Sequence, residues 1–513
     1  MPKMNRRDFL ETSAKGVALF SLPFFLNGLP SKALAEAAPA DLKLNDYLNH
    51  FGVDESMIHK IMMTALEGGG DYCDVYFQNK ISSYVVLEDK AVNRAYTSVD
   101  LGVGIRVLKG DQTGYSFTED LSPQAMLGAA KTAANIASSG KTIPPVNFSA
   151  GKTANLYPVK VSWEDVKIDK KIPHLEKIND LVFAKDKRVI KVNVFLLDES
   201  SYLLMANSEG KIVFDFQPMG MLRTRCTAEQ NGRKEMNGAT ISGRYGFDYL
   251  TPERIENHAR EAVDRTIRQF EAVKPEAGEM PVVLAAGSSG ILLHEAMGHP
   301  IEADFNRKNA SIFSDKIGKP VAEKFVSIVD DGTMPGSRGA INVDDELNES
   351  KKTVLIENGT LVSYMHDRIS ANYYKVPPTG NGRRESFRYP AIPRMRNTYM
   401  LPGPHKKDEI IKSVKEGLYA ESFTNGEVYI GAGDFTFYVK SGYLIEDGRL
   451  TTPVKDINII GNGPDVLSKI TMVGDDLAFS EESWTCGKDG QGVPVSLGLP
   501  TVKVSSITVG GKS

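Results

Sequence analysis

Cysteine is scarce in this 513-residue chain: there are three, Cys73, Cys226 and Cys486, far apart in sequence. An odd, sparse set makes a poor disulfide framework; one bridge is compatible with it, and at least one thiol is left for another use, such as metal ligation. Charge of one sign is also lacking. With 61 Lys and Arg against 65 Asp and Glu the formal net charge is −4, and no long basic block stands out, so nucleic acid is not an expected partner. No fixed-period repeat and no long low-complexity tract occurs, which removes solenoid and collagen-like architectures. Hydrophobic residues at 41% and charged residues at 25% rule out a mostly disordered chain. The length exceeds what one ordinary core serves, so two large domains are expected.

The first residues depart from this average. Asn5-Arg6-Arg7-Asp8-Phe9-Leu10 precedes an apolar run over 17–29, and Ala33-Leu34-Ala35 follows. A charged start, an apolar stretch and an A-x-A end read as a secretory leader over 1–35, too short and too broken by Pro and Gly for a stable membrane span. The paired arginines followed by x-Phe-Leu resemble a twin-arginine signal, which implies export of a folded protein, to the periplasm; a cytoplasmic location is the alternative. Removal of the leader takes away five basic and two acidic side chains, and the net charge becomes −7. No membrane span is expected in the mature form.

Beyond the leader the pattern predicts a helix over 55–66, stopped by Gly68-Gly69-Gly70, then strands over 72–77, 82–88 and 102–108 with a turn at Lys109-Gly110-Asp111. A helix over 122–138, strand and hairpin over 189–217 and 223–242, and a long charged helix over 252–272 follow. Residues 274–278, Lys-Pro-Glu-Ala-Gly, are the best boundary. The expected fold is therefore α+β: an antiparallel-sheet domain over 36–276, and a strand-rich domain over 277–513 that carries a metal-binding helix from about residue 288.

That helix holds the informative segment, His294-Glu295-Ala296-Met297-Gly298-His299-Pro300. Two of eight histidines stand five apart with a glutamate directly after the first. On a regular α-helix five residues turn through about 140° of mismatch, so an unbroken helix would not chelate. Two devices bring the rings together: a π-type turn, in which residues five apart align, or a helix end at Gly298 with Pro300 unable to extend the ladder. Glu295 then points toward a metal-bound water as a general base. The competing reading is a buried stripe of Leu292, Leu293, Met297 and Ile301, with the histidines as core or capping residues. A catalytic zinc takes a third protein ligand. Glu302, Asp304, His366 and Cys486 are candidates, and spacing does not choose among them; Cys486 lies in a Gly-rich stretch, 484–495, read as a loop.

The chain resembles the TldD/PmbA family of metallopeptidases, formerly called modulators of DNA gyrase, in its metal-bearing TldD branch. Carrying segments include Asp71-Tyr72-Cys73-Asp74-Val75-Tyr76-Phe77, Leu101-Gly102-Val103-Gly104-Ile105-Arg106-Val107, the His294 to His299 motif, Gly431-Ala432-Gly433-Asp434-Phe435, Gly461-Asn462-Gly463-Pro464 and Cys486-Gly487-Lys488-Asp489-Gly490-Gln491. The resemblance implies Zn2+ held by His294, His299 and Cys486, with Glu295 as catalytic base. It also implies unfolded or short peptides as substrates, clamped as an extended strand within a dimer. The family's known members are cytosolic, so the apparent leader leaves a homodimer and a heterodimer with a homologous subunit both open.

The stretch 379–390, Thr-Gly-Asn-Gly-Arg-Arg-Glu-Ser-Phe-Arg-Tyr-Pro, reads either as a flexible lid that holds a peptide carboxylate or as a solvated surface loop. His366 and His405 have no motif around them and read as structural. Two other functional readings compete with the zinc peptidase: a thiol hydrolase using Cys486, and a non-catalytic peptide-binding subunit with a structural metal.

Overall fold

The computed structural model describes residues 42–135, 144–151 and 153–511; the expected leader lies outside the described residues. The architecture is mixed α+β, as the sequence predicts. Among the described residues no helix is long and apolar enough to cross a membrane.

The N-terminal half is built on one seven-stranded sheet: β1 (Tyr72–Glu88), β2 (Ala91–Lys109), β3 (Gln112–Thr118), β4 (Ser149–Ala150), β5 (Val189–Asn207), β6 (Lys211–Gln230) and β7 (Arg233–Gly243). Its order is β3-β2-β1-β5-β6-β4, with β7 also on β6. Every pairing is antiparallel except that of the two-residue β4. The strands expected over 72–77 and 82–88 are one continuous strand. Asn79, Lys80 and Ser82 do not interrupt it, because β2 and β5 flank them and accept the backbone hydrogen bonds on both sides.

Side chains of β1 alternate between two different environments. Cys73, Val75 and Phe77 point to a core shared with Ile58, Ile61 and Met62 of the helix Glu55–Leu66. Asp74, Tyr76 and Gln78 face the C-terminal half, where Tyr76 joins Val343, Leu347 and Phe387. The helix expected over 122–138 spans Pro123–Ala134, capped by Ser122, and residues 136–138 of that expectation lie outside the described residues; the one expected over 252–272 spans Pro252–Arg268, and tight turns finish it. Two further helices, Leu44–Phe51 and Ile168–Lys185, had no clear sequence signal; the second carries Pro173 within it, which disguises the pattern.

In the C-terminal half the strands Glu416–Tyr429, Gly278–Leu284, Val502–Gly511, Ile457–Asn462 and Asp434–Glu446 pair in that order, and the last pairs again with the first. The circuit closes, so five strands form a small barrel with no free edge along their shared length. A separate six-stranded sheet contains Ile328–Asp331, Asn397–Met400 and Ser496–Leu499. The segment from Ser288 to Ile301 lies between the two. Leu292, Leu293, Met297 and Ile301 are buried in one core with Phe423, Phe435 and Phe437 of the barrel and Ile328 and Leu497 of the sheet.

The stretch 379–390 is neither a lid nor a solvated loop. Arg383, Arg384 and Phe387 are buried. Arg384 Nη2 lies 3.0 Å from Asp74 Oδ1, and Arg388 forms two hydrogen bonds to Asp100 of 2.7 and 2.9 Å. It is a clamp that pins the C-terminal half to the N-terminal sheet. Sequence reading missed this because the partner carboxylates stand about 300 residues away, on β1 and β2.

Candidate metal centre

The histidine segment changes its helical type three times. Ser288–Gly290 is a 3-10 turn, Ile291–Leu293 is α-helical, His294–Gly298 is a π-turn, and His299–Ile301 is again 3-10. The amide of His299 donates to the carbonyl of His294, five residues back, and this lines the two rings up on one side. Of the two devices open from the sequence, the π-turn is the one adopted. Pro300 has no N–H to continue either ladder, and the tighter 3-10 turn follows. Packing holds the wide turn in place. A Cβ on Gly298 would lie 2.2 Å from Met395 Sδ, and one on Gly463 would lie 2.0 Å from the Ala296 carbonyl oxygen, so neither position has room for a side chain.

Cys486 arrives from the opposite wall. The stretch 484–495 is not a loop but contains a hairpin, Thr485–Lys488 against Gln491–Pro494, joined by Asp489 and Gly490, both at positive φ. An Asp-Gly pair is the favoured two-residue hairpin turn, so the sequence carries a local signal for this hairpin. Arg394, fully buried, donates to the Cys486 carbonyl and to the Gln491 carbonyl, which fixes both hairpin strands.

The structure thus brings His294, His299 and Cys486 together. The rings of the two histidines are 4.9 Å apart and nearly perpendicular, and Cys486 Sγ lies 3.4 Å from His299 Nε2. One ligand atom from each lies within 4.8 Å of the others, the one such cluster of His, Cys, Asp or Glu among the described residues. A tetrahedral zinc with ordinary bond lengths separates sulfur and nitrogen ligands by about 3.6 Å. His294 Nδ1 is buried without a protein partner, a polar atom that a ligand can satisfy. Burial raises the Cys486 thiol, but His299 and His294 outweigh it and hold the group well below its ordinary range. The two histidines thus favour the thiolate, the form that ligates metal. A borderline-soft cation suits this donor set of one thiolate and two imidazoles.

The other candidate ligands have different partners. Glu302 Oε2 is 3.0 Å from His299 Nδ1, so the ring donates to the carboxylate and leaves Nε2 toward the thiolate. Burial raises the Glu302 carboxyl, yet Lys488 and His299 outweigh it and hold it down at about 2. Lys488 Nζ, itself buried, bonds Glu302 at 3.1 Å, Asp304 at 2.7 Å and the Pro393 carbonyl at 3.0 Å. His366 sits apart, against Tyr364 and Tyr374, and burial lowers it to about 4. His405 Nδ1 lies against the Val473 backbone. Lys488 was not recognised as a site residue from sequence; the His299 to Glu302 spacing of one helical turn was the cue available for the carboxylate it pairs with.

A cavity of about 760 Å³ opens over this cluster and is lined by His294, Glu295, His299 and Cys486. Glu295 is 9% exposed, and burial raises its carboxyl, against the lowering pull of the two histidines. Residues 424–429 form one wall. They pair with the strand Asp434–Glu446 on one side, while the parallel pairing on the other side stops at Ala420. Among the described residues no strand covers the remaining edge. None of the three cysteines is in a disulfide.

Three models of one family match in order: PmbA/TldA metallopeptidase domain 1 over residues 73–137, its central domain over 162–270 and its C-terminal domain over 277–511. The metalloprotease TldD homolog of Haemophilus influenzae is 38% identical over 92% of this chain and 97% of that protein. The zinc metalloprotease TldD homolog of Saccharolobus solfataricus is 30% identical over 88% of this chain and 99% of that protein. The fold is shared with TldE from Thermococcus kodakarensis, at a TM-score of 0.69 and 17% identity, over 89% of this chain and all of that one. With two curated relatives at or above 30% identity along nearly their whole length, and family models over most of the described residues, the chain belongs to the PmbA/TldD metallopeptidase family.

Proposed function

We propose that this chain is a zinc metallopeptidase that hydrolyses unfolded or short peptides, with His294, His299 and Cys486 as the zinc ligands and Glu295 as the base. The observation that carries the reading is the convergence of two imidazoles, one thiolate and a buried carboxylate on a single cavity. The zinc metalloprotease from Saccharolobus solfataricus supports the choice of metal. Bound there, zinc would supply a Lewis acid for the scissile carbonyl and lower the pKa of its water. Glu295 would accept a proton from the attacking water and pass it to the leaving amine; a carboxyl raised by burial is a stronger base than an exposed one. Glu302 holds the His299 ring through Nδ1, and Lys488 keeps Glu302 ionised. The uncovered edge of residues 424–429 offers main-chain hydrogen bonds to an extended peptide, which gives binding with little side-chain selectivity.

Metal content of the purified protein, measured alongside cleavage of a peptide library with and without chelator, tests the class and the cofactor together. Glu295→Gln should keep its metal and lose nearly all turnover; a variant that cleaves near the parent rate removes Glu295 from the mechanism. The likeness to TldE supports assembly with a homologous subunit, as a heterodimer or a homodimer. The paired Arg6 and Arg7 support export. Lysines at both positions should strand precursor in the cytoplasm, and normal delivery of the mature form would count against the twin-arginine route.

A further inference from the structure

A second cavity, of about 410 Å³, lies on the other side of residues 483–485, and Ser483 and Thr485 line both it and the metal cavity. Its lining is crowded with arginine: Arg223, Arg244, Arg338 and Arg383 among others. Among the described residues none of these four forms an ion pair. Their hydrogen bonds go to uncharged groups. Arg223 reaches Ser483 Oγ at 2.6 Å, Arg338 the Trp484 carbonyl at 3.2 Å, Arg383 the Pro494 carbonyl at 2.9 Å and Arg244 the Pro218 carbonyl at 3.4 Å. Arg244 Nε is buried with no partner at all. Three carboxylates also line the space, fewer than the arginines: Glu199, which accepts from Ser82, Asp345, which accepts from the Arg384 amide, and Glu385, which accepts from the Gly492 amide.

Buried guanidiniums that outnumber the carboxylates around them are costly, even with Glu199 and Asp345 offsetting part of their charge. Burial pushes Arg338 down to about 10 and Arg383 down to about 9; Arg244 adds to both shifts, while Glu199 opposes the first and Asp345 the second without cancelling it. An anion would relieve it, and the planar guanidinium fork matches a carboxylate with two parallel hydrogen bonds. The two of these arginines that hold Ser483 and Trp484 grip the wall beside Cys486, so an anion held here stands next to the metal cavity.

We propose that this arginine-lined cavity binds the C-terminal carboxylate of a short peptide whose chain passes residues 483–485 into the metal cavity. The proposal rests on the peptidase reading for the identity of the ligand. It makes the enzyme a reader of peptide ends, with the main chain bound along the open strand edge and the terminus anchored by charge.

The test is binding of two labelled hexapeptides of the same uncharged sequence, one ending in a free carboxylate and one in an amide, to full-length Glu295→Gln protein in the assembly it forms. The free acid is expected to bind at least about tenfold more tightly. Arg338→Met and Arg383→Met should bring the ratio of the two affinities close to one, and Arg223→Gln, at a half-buried position that tolerates change, should reduce it severalfold. A variant with a general folding defect weakens both peptides and leaves the ratio as it was. Equal affinity for acid and amide in the parent overturns the proposal, as does a parental ratio that survives in Arg223→Gln and in whichever other variants fold. Full recovery of binding by an amidated peptide ending in Glu assigns the cavity to acidic side chains and overturns the terminal reading. Since the readout is binding, an acid preference without any cleavage by the parent sinks the peptidase reading alone, whereas cleavage with equal affinities sinks the anchor alone.

Discussion

Glu302→Gln isolates the part played by the carboxylate behind the proposed metal ligands. The change preserves shape and removes a charge. Glu302 is fully buried, and Lys488 with His299 carries its carboxyl from an ordinary 4.5 down to about 2, against burial. That shift corresponds to about 3 kcal/mol net in favour of the ionised form, what remains after burial has opposed it. Lys488 keeps Asp304 at 2.7 Å and the Pro393 carbonyl at 3.0 Å, so its ammonium is not stranded. The principal loss therefore falls on His299, whose Nδ1–H would donate to a neutral amide oxygen instead of a carboxylate. Outer partners of this kind are worth roughly 10–100-fold in metal affinity, about 1.4–2.8 kcal/mol. Competition against a fluorescent zinc chelator at neutral pH measures the affinity, and a melting curve in chelator reports any separate loss of fold. An affinity within twofold of the parent's would refute the assignment of Glu302 to orienting His299.

Cys486→Ser separates three roles on one titration: a ligand loses zinc and regains part of its activity at high zinc, a thiol nucleophile binds zinc normally and stays inactive, and an inert thiol changes neither. Full zinc occupancy in the serine variant would sink the ligand assignment. Acid stability provides a further check, because burial, with a contribution from Arg265, lowers His258 from 6.5 to about 4, and its ring lies 2.9 Å from Thr224 Oγ1. A base depressed on folding contributes stability that is complete above 6.5 and is lost as pH falls through about 4. Between pH 7.5 and 5 the loss from this one group is about 2 kcal/mol. Urea titrations at the two values should show a smaller difference in His258→Gln than in the parent, and an identical difference would exclude His258 as a contributor.

The sequence by itself carried the candidate ligand types, the need for a distorted helix between His294 and His299, and the α+β class, because periodicity and the chemistry of Gly298 and Pro300 are local properties of the chain. It also carried strong strand signals, although it cut β1 in two where polar residues sit between flanking strands. Which carboxylates, thiols and arginines meet was settled only by the tertiary structure. Cys486 reaches His299 across 187 residues, Lys488 reaches Asp304 across 184, and Arg384 reaches Asp74 across 310. No local pattern encodes such pairings. They follow from the closed barrel, the adjoining sheet and the hairpin turn at Asp489 and Gly490, which together set one backbone segment against another. The stretch 379–390 shows the same limit from the other side: arginines that look solvated in sequence are buried because two halves of the fold supply their partners, and a charge is affordable in the interior only where the folded chain brings a counter-charge or leaves room for one.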